Sequence, residues 1–195
     1  GTWRAIADLA SIENVVGTAF ADQISGDAGN NSLGGGLGDD LLGYTAGLDT
    51  LDGGAGTDSA DFSAFGSAVW LKLAYAGPEA WTRDQPNLNT TGTWRAIADL
   101  ASIENVVGTA YADDITGDAQ ANSIAGGLGN DFIDGGDGND SLEGGQGNDT
   151  LLGGNGTDTL AYTSGLDTLD GGAGTDSADF STFGSAVWLK LAYAG

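Results

Sequence analysis

Along most of this chain an apolar residue returns at every ninth position. The eighth place of successive nine-residue units reads Val15, Ile24, Leu33, Leu42, Leu51, Ala60 and Val69 in the first half. In the second half it reads Val106, Ile115, Ile124, Ile133, Leu142, Leu151, Leu160, Leu169, Ala178 and Val187. The sixth place is acidic or amide in every unit except those holding Ser67 and Ser185. At 126–161 the frame runs without a gap through GGLGNDFID, GGDGNDSLE, GGQGNDTLL and GGNGTDTLA. Two chemistries held in one frame are the mark of a stacked repeat, in which each unit buries its apolar residue only against its neighbours. An acidic, Gly-rich chain without such a frame would be expected to stay disordered.

A longer period encloses the short one. Residues 1–34 recur almost letter for letter at 92–125, an offset of 91, and residues 44–77 recur at 162–195, an offset of 118. The difference, 118 − 91 = 27, is three whole nonads, so the stack tolerates extra units.

One apolar residue per nine suits a very short strand whose central side chain points inward. The preceding GGxGxD stretch reads as a tight turn, with Gly where the backbone needs positive φ. Turn plus strand makes half a coil, and two nonads make a coil of 18 residues. Coils stacked at the ~4.8 Å strand spacing form a flat all-β solenoid with two parallel sheets and two columns of turns.

Those columns raise an electrostatic problem. The chain holds 28 Asp and Glu against 5 Lys and Arg, a net charge of -23. Asp131 and Asp149 would sit one above the other, and unit charges ~5 Å apart at an effective dielectric near 20 repel by about 3 kcal/mol. Arg4, Lys72, Arg83, Arg95 and Lys190 all fall outside 17–61 and 108–179, so ion pairs cannot neutralise the stack. A divalent cation can, and carboxylates with turn carbonyls make a hard oxygen site suited to calcium. The absence of His and Cys excludes thiolate or imidazole zinc sites, Cys nucleophiles and disulfides. The sign of the charge argues against nucleic acid as a partner. No apolar run approaches the roughly 20 residues of a membrane span.

The units resemble the RTX (repeats-in-toxin) nonapeptide GGxGxDxUx, a calcium-binding repeat. The resemblance implies a right-handed parallel β-roll with calcium between the turns of units n and n+2. Carbonyls of positions two and four and the Asp of one turn would meet carbonyls of positions one and three and the Asp of the next. Carried over, Gly127, Gly129 and Asp131 share an ion with Gly144, Gln146 and Asp149. Gly136, Gly138 and Asp140 face Gly153, Asn155 and Asp158, while Gly145, Gly147 and Asp149 face Tyr162, Ser164 and Asp167. Gly154, Gly156 and Asp158 face Gly171, Ala173 and Asp176, and in the first half Gly36, Gly38 and Asp40 face Gly53, Ala55 and Asp58. The Asn31/Asp49 and Asn122/Asp140 sites lose one charge. Asp22 and Asp113 lie in turns with Phe20 or Tyr111 where Gly is expected. About five to eight calcium ions, each with Kd tenfold below ambient calcium, would contribute about 1.4 kcal/mol apiece.

Outside the nonads, VWLKLAY at 69–75 and 187–193 alternates like a half-buried strand and is expected to cap each array. The units at 62 and 180 carry Phe62, Phe65, Phe180 and Phe183 for Gly and Ser67 and Ser185 for Asp, so these turns are expected to close the column with apolar contacts. This gives a first array at 1–77 with nonads at about 8–70, a linker at 78–91 and a second array at 92–195 with nonads at about 99–188. Both prolines lie in the aperiodic stretch 77–92, read as a loop, and 93–107 suits either a strand or a short helix. Trp70 and Trp188 could stack on a sugar, but covering the roll where nonads end is the better reading. Acid pairs such as Asp39/Asp40 or Asp113/Asp114 suggest glycosidase carboxylates, yet each sits in a repeating frame, whereas catalysis needs one pocket.

The expectation is therefore a non-enzymatic calcium-dependent structural module of a secreted bacterial protein, found outside the cell or at its surface. The resemblance implies type I export, with folding in the high calcium outside. A repeat segment of a giant surface adhesin, surface-layer or filament protein, with neighbouring repeats and self-assembly as its contacts, is the alternative. A third is the C-terminal module of a secreted protease, lipase or epimerase. The pattern is cut at both ends and neither a signal peptide nor a secretion signal is visible, as expected of a fragment.

Overall fold

The computed structural model describes residues 10–75, 77–83 and 94–186, and every named element among them is a strand. In chain order these are β1 (Asn14–Val16), β2 (Gln23–Ser25), β3 (Ser32–Leu37), β4 (Leu41–Gly43), β5 (Asp49–Ala55), β6 (Ser59–Asp61) and β7 (Trp70–Lys72). There follow β8 (Ala80–Arg83), β9 (Trp94–Ala101), β10 (Asn105–Val107), β11 (Asp114–Thr116), β12 (Ser123–Leu128), β13 (Phe132–Asp134) and β14 (Asp137–Gly138). The last are β15 (Ser141–Gln146), β16 (Thr150–Leu152), β17 (Asn155–Gly156), β18 (Thr159–Ala161), β19 (Thr168–Asp170), β20 (Ala173–Gly174) and β21 (Ser177–Asp179).

Most strands, fifteen of the twenty-one, cover positions seven to nine of a nonad, with the eighth residue between the sheets. In β13, Ile133 is buried between the more exposed Phe132 and Asp134. Parallel pairing joins residues 18 apart, Ile133 to Leu151 and Ile124 to Leu142, so two nonads make one coil. The chain is a parallel β-solenoid, and its core is the file of eighth-position side chains between the sheets, Leu42, Leu51, Ile115, Ile133, Leu142 and Leu160 among them. Burying each Leu or Ile contributes about 1.5–3 kcal/mol.

One sheet orders its ten strands β1-β3-β5-β9-β8-β7-β11-β13-β16-β19, and the facing sheet orders eight as β2-β4-β6-β10-β12-β15-β18-β21. The turn strands β14, β17 and β20 form a third, narrow ladder. Both large sheets run from one array into the other.

At the junction the structure departs from the sequence reading. Within the expected loop, Ala80–Arg83 forms β8, antiparallel to both β7 and β9. The segment left open between strand and helix is a strand at 94–101, pairing with β5 through Leu51 and Leu100. Strand β7 does not end its sheet: it lies beyond β9 and pairs with β11, so each array contributes a strand to the far side of the other. Trp70 on β7 packs against Trp81 and Trp94, with ring centroids 4.8 and 5.4 Å away, which favours covering over sugar stacking. Three contacting indoles and buried Ala80, Ile97 and Ala98 account for strand formation where no nonad exists. The second expected cap, 187–193, and Trp188 lie outside the described residues.

Candidate metal centre

Each turn preceding a strand depends on its glycines. Gly136 and Gly138 stand at φ 97° and 129°, where side chains are disfavoured, and a Cβ on Gly136 would meet the Asp118 carbonyl 2.6 Å away. The coils can therefore stack turn on turn with main chain against main chain.

The sixth-position carboxylates form a ladder through these turns. In nine turns the N–H of the sixth residue donates to Oδ1 of the acid 18 residues on: Asp22 to Asp40, Asn31 to Asp49, Asp40 to Asp58, Asp113 to Asp131 and Asn122 to Asp140. The same bond runs from Asp131 to Asp149, Asp140 to Asp158, Asp149 to Asp167 and Asp158 to Asp176, over 2.7–3.1 Å in all nine cases. The second oxygen is left over. Oδ2 of Asp40, Asp49, Asp58, Asp131, Asp140, Asp149 and Asp158 is buried without a hydrogen-bond partner. Leaving a buried charged acceptor unsatisfied is costly, and here the cost recurs seven times in register.

What lies beside these oxygens is equally regular. A Cβ on Gly153 would come within 2.5 Å of both Asp158 Oδ2 and the Gly171 carbonyl. The same cradle brings the Asp131 carboxylate toward Gly144 O at Gly126, Asp140 toward Gly153 O at Gly135, and Asp40 toward Gly53 O at Gly35. First-position glycines thus hold open a space between a carboxylate oxygen and a carbonyl of the next coil. Among the described residues no three acids, His or Cys gather at one point, so main-chain carbonyls must supply much of any coordination. The second- and third-position carbonyls named from the resemblance mainly serve the backbone ladder: Gly136 and Gly154 accept from Asn155 and Ala173, and Gln146 and Ala55 from Gly129 and Gly38. Gly127 pairs with Gly145 in β12/β15, and Gly129, Gly138, Gly147 and Gly156 stack in the turns at positive φ.

Not every predicted turn is built alike. Asp22 Oδ2 accepts the Thr18 N–H at 2.5 Å, and Asp113 accepts N–H groups of Thr109 and Val69 together with the Thr109 hydroxyl. These two acids have an internal donor on Oδ2, where the seven others have none. Asn31 and Asn122 close their turns by accepting from Asp27 and Asp118. In the turns beginning at Tyr44 and Tyr162 the tyrosine replaces the cradle glycine, and its hydroxyl donates to the carbonyl of Gly47 or Gly165. The Thr163 and Ser164 hydroxyls reach the Gly145 carbonyl, so Tyr162 and Ser164 stand in a different setting from their counterparts. Tyr44 meets Phe62 and Phe65, and Tyr162 meets Phe180 and Phe183, the apolar contacts expected there. The first of these turns does not end its column, because Val69 donates onward to Asp113.

One rung of the ladder escaped the sequence reading. Glu104 Oε2 accepts the Asp58 N–H at 2.9 Å, and the Ser102 carbonyl crowds Gly53 where elsewhere a glycine carbonyl does. Glu104 is thus the next rung above Asp58, although it lies 46 residues away. Its sixth place in DLASIENVV was legible; its partner was not, because the intervening coil is displaced by β7 and β8.

Burial sets the electrostatics. It pushes Asp131 up to about 8 and Asp113 to about 7, with Asp49 and Asp140 at about 6. Asp58 and Asp149 are raised as well, burial again leading and stacked acids adding to it. Backbone N–H donors pull the other way without offsetting it. Buried, acidic oxygens in file beside carbonyls, with no basic residue in 17–61 or 108–179, fit a hard divalent cation of calcium's preference.

A solenoid of Gly-rich turns and Asp ladders defines a calcium-binding repeat. The chain belongs to the family of the RTX calcium-binding nonapeptide repeat (4 copies), matched at residues 10–42, 45–63, 107–142, 126–160, 134–169 and 163–179. Among curated proteins, no sequence matches it significantly. Among the described residues no helix is long and apolar enough to cross a membrane.

Proposed function

We propose that the chain is a calcium-dependent folding module of a secreted protein, without catalysis of its own. The observation that carries this reading is the register of seven buried carboxylate oxygens lacking a partner. Six of them, on Asp40, Asp58, Asp131, Asp140, Asp149 and Asp158, lie in turns that open with glycine; Asp49 lies behind Tyr44. We assign one calcium ion to each of the six. With Kd tenfold below free calcium, each contributes about 1.4 kcal/mol, and six together about 8 kcal/mol. That equals the whole net stability of a typical domain, about 5–15 kcal/mol. The chain then unfolds where calcium is scarce, as in cytosol, and folds where it is plentiful, as outside the cell, which suits one-step type I export of an unfolded chain.

Circular dichroism in excess chelator should show a disorder-like spectrum that turns β-rich on adding calcium. A compact β spectrum unchanged in chelator overturns the proposal. A second reading, a segment of a long surface adhesin or filament, is favoured by the strand exchange at the junction, which joins successive arrays into one rod.

A further inference from the structure

The junction between the arrays is an interface this chain builds once internally, and both halves of it recur at the ends of the described roll. The donating half is DLASIENVV at 99–107, and the same nine residues stand at 8–16. The receiving half is GGAGTDSAD at 53–61, and the same nine residues stand at 171–179. Inside the junction β6 and β10 pair in parallel, with Ala60 opposite Val106 and both buried. Among the described residues, the counterparts at the two ends are uncovered. Ile103 is 5% exposed where its twin Ile12 is 49% exposed, and β21 is exposed throughout where β6 buries its centre. The core opens at each end into a cavity, about 310 Å³ beside Leu160, Leu169 and Ala178 and about 160 Å³ beside Ile12, Val15 and Leu33.

We infer that the roll docks head to tail on a second copy of itself, β21 of one molecule receiving β1 of the next. The register is that of β6 on β10, placing Ser177 against Asn14, Ala178 against Val15 and Asp179 against Val16. Glu13 then plays the part of Glu104, accepting the Asp176 N–H as Glu104 accepts that of Asp58. Ser11 stands at φ 58° and Ser102 at 51°, the two non-glycine residues with positive φ among those described. That conformation brings the Ser102 carbonyl against Gly53, and the docked Ser11 carbonyl would likewise meet Gly171, whose Cβ position lies 2.6 Å from Asp176 Oδ2. The incoming copy thus supplies the carbonyl that completes the Asp176 pocket. Two different surfaces make this contact, so every docking leaves one free surface of each kind and the assembly grows without closing.

The inference rests on the calcium reading only in that the roll must be folded. Sedimentation velocity on the full chain in calcium, with circular dichroism on the same samples, tests it. The expected result is a concentration-dependent series of dimers and larger species. Ile12→Asp and Ala178→Asp, both at exposed positions, should each leave a folded monomer. Mixed in equal amounts they should give dimers and nothing larger, since one retains an intact receiving end and the other an intact donating end. A β-rich chain that stays monomeric at every concentration overturns docking alone, as does a mixture that stays monomeric or forms longer species. A chain that gains no β structure in calcium overturns the folding proposal and this one with it.

Discussion

Replacing Gly153 with alanine tests the metal assignment at one atom. Gly153 is not among the glycines with positive φ, so the added methyl meets no backbone penalty. Its Cβ would lie 2.5 Å from Asp158 Oδ2 and 2.5 Å from the Gly171 carbonyl. Calcium binds oxygen at about 2.3–2.6 Å, so the methyl takes the seat of an ion shared by those two oxygens. Overpacking costs about 1–3 kcal/mol, and a lost ion removes about 1.4 kcal/mol at tenfold saturation. The sum is about 2–4 kcal/mol. Spread over the five remaining ions, it raises the calcium midpoint of folding about two- to fourfold. Isothermal titration calorimetry should show one ion fewer, and a parallel dichroism titration should show the shifted midpoint. Gly66→Ala is the control, since a Cβ there meets nothing within 4 Å. An unchanged ion count in Gly153→Ala, or an equal loss in Gly66→Ala, would refute the assignment.

Other consequences follow from the same geometry. Asp131, Asp140 and Asp49 have folded pKa values near 8, 6 and 6, above the unfolded carboxylate value. The ion-free roll therefore binds extra protons, is most stable below about pH 4, and loses that stability as pH rises through 6 to 8. In chelator the chain should be disordered at neutral pH and above, and β structure measured by dichroism should appear only on acidification toward pH 4. Glu104→Ala strips the buried Asp58 N–H of its acceptor, costing about 1–3 kcal/mol, and hydrogen exchange should accelerate at 53–61 before it does in 126–161. Tyr44→Phe removes the hydroxyl bonded to the Gly47 carbonyl and should lower stability in calcium by about 0.5–1.5 kcal/mol. Leu142→Ala opens a cavity in the fully buried file and should cost about 2–5 kcal/mol in a chemical denaturation curve.

The period of nine was legible because stacking makes each unit answer to the next by the same rule. Ile133 and Asp131 occupy the strand centre and the ladder rung that their places in GGLGNDFID foretell. The limits of that reading are local and physical. It set Asp113 apart from Asp131 only by Tyr111 in place of Gly, and could not see that Thr109 folds its N–H and hydroxyl onto the Asp113 carboxylate. Nor could it find β8 in AWTR, a segment without periodicity whose partners are indoles and alanines from both sides. Glu104 was visible as an acid in frame, but its neighbour was fixed by a strand order that no spacing encodes.

The exchanged strands at the junction also set an order of assembly. Within an array each rung needs residues only 18 positions ahead, whereas Asp58 waits for Glu104, 46 ahead, and Val69 for Asp113, 44 ahead. The longer closure itself adds only about 0.8 kcal/mol. Timing is the larger effect. Where the first array folds ahead of the second, β5 and β6 present open edges until residues 98–107 join them, and β7 has no parallel partner until 114–116 follow. Open edges are sites of mispairing. The interval between the folding of one array and of the other is therefore when this chain is most exposed to pairing with a neighbour.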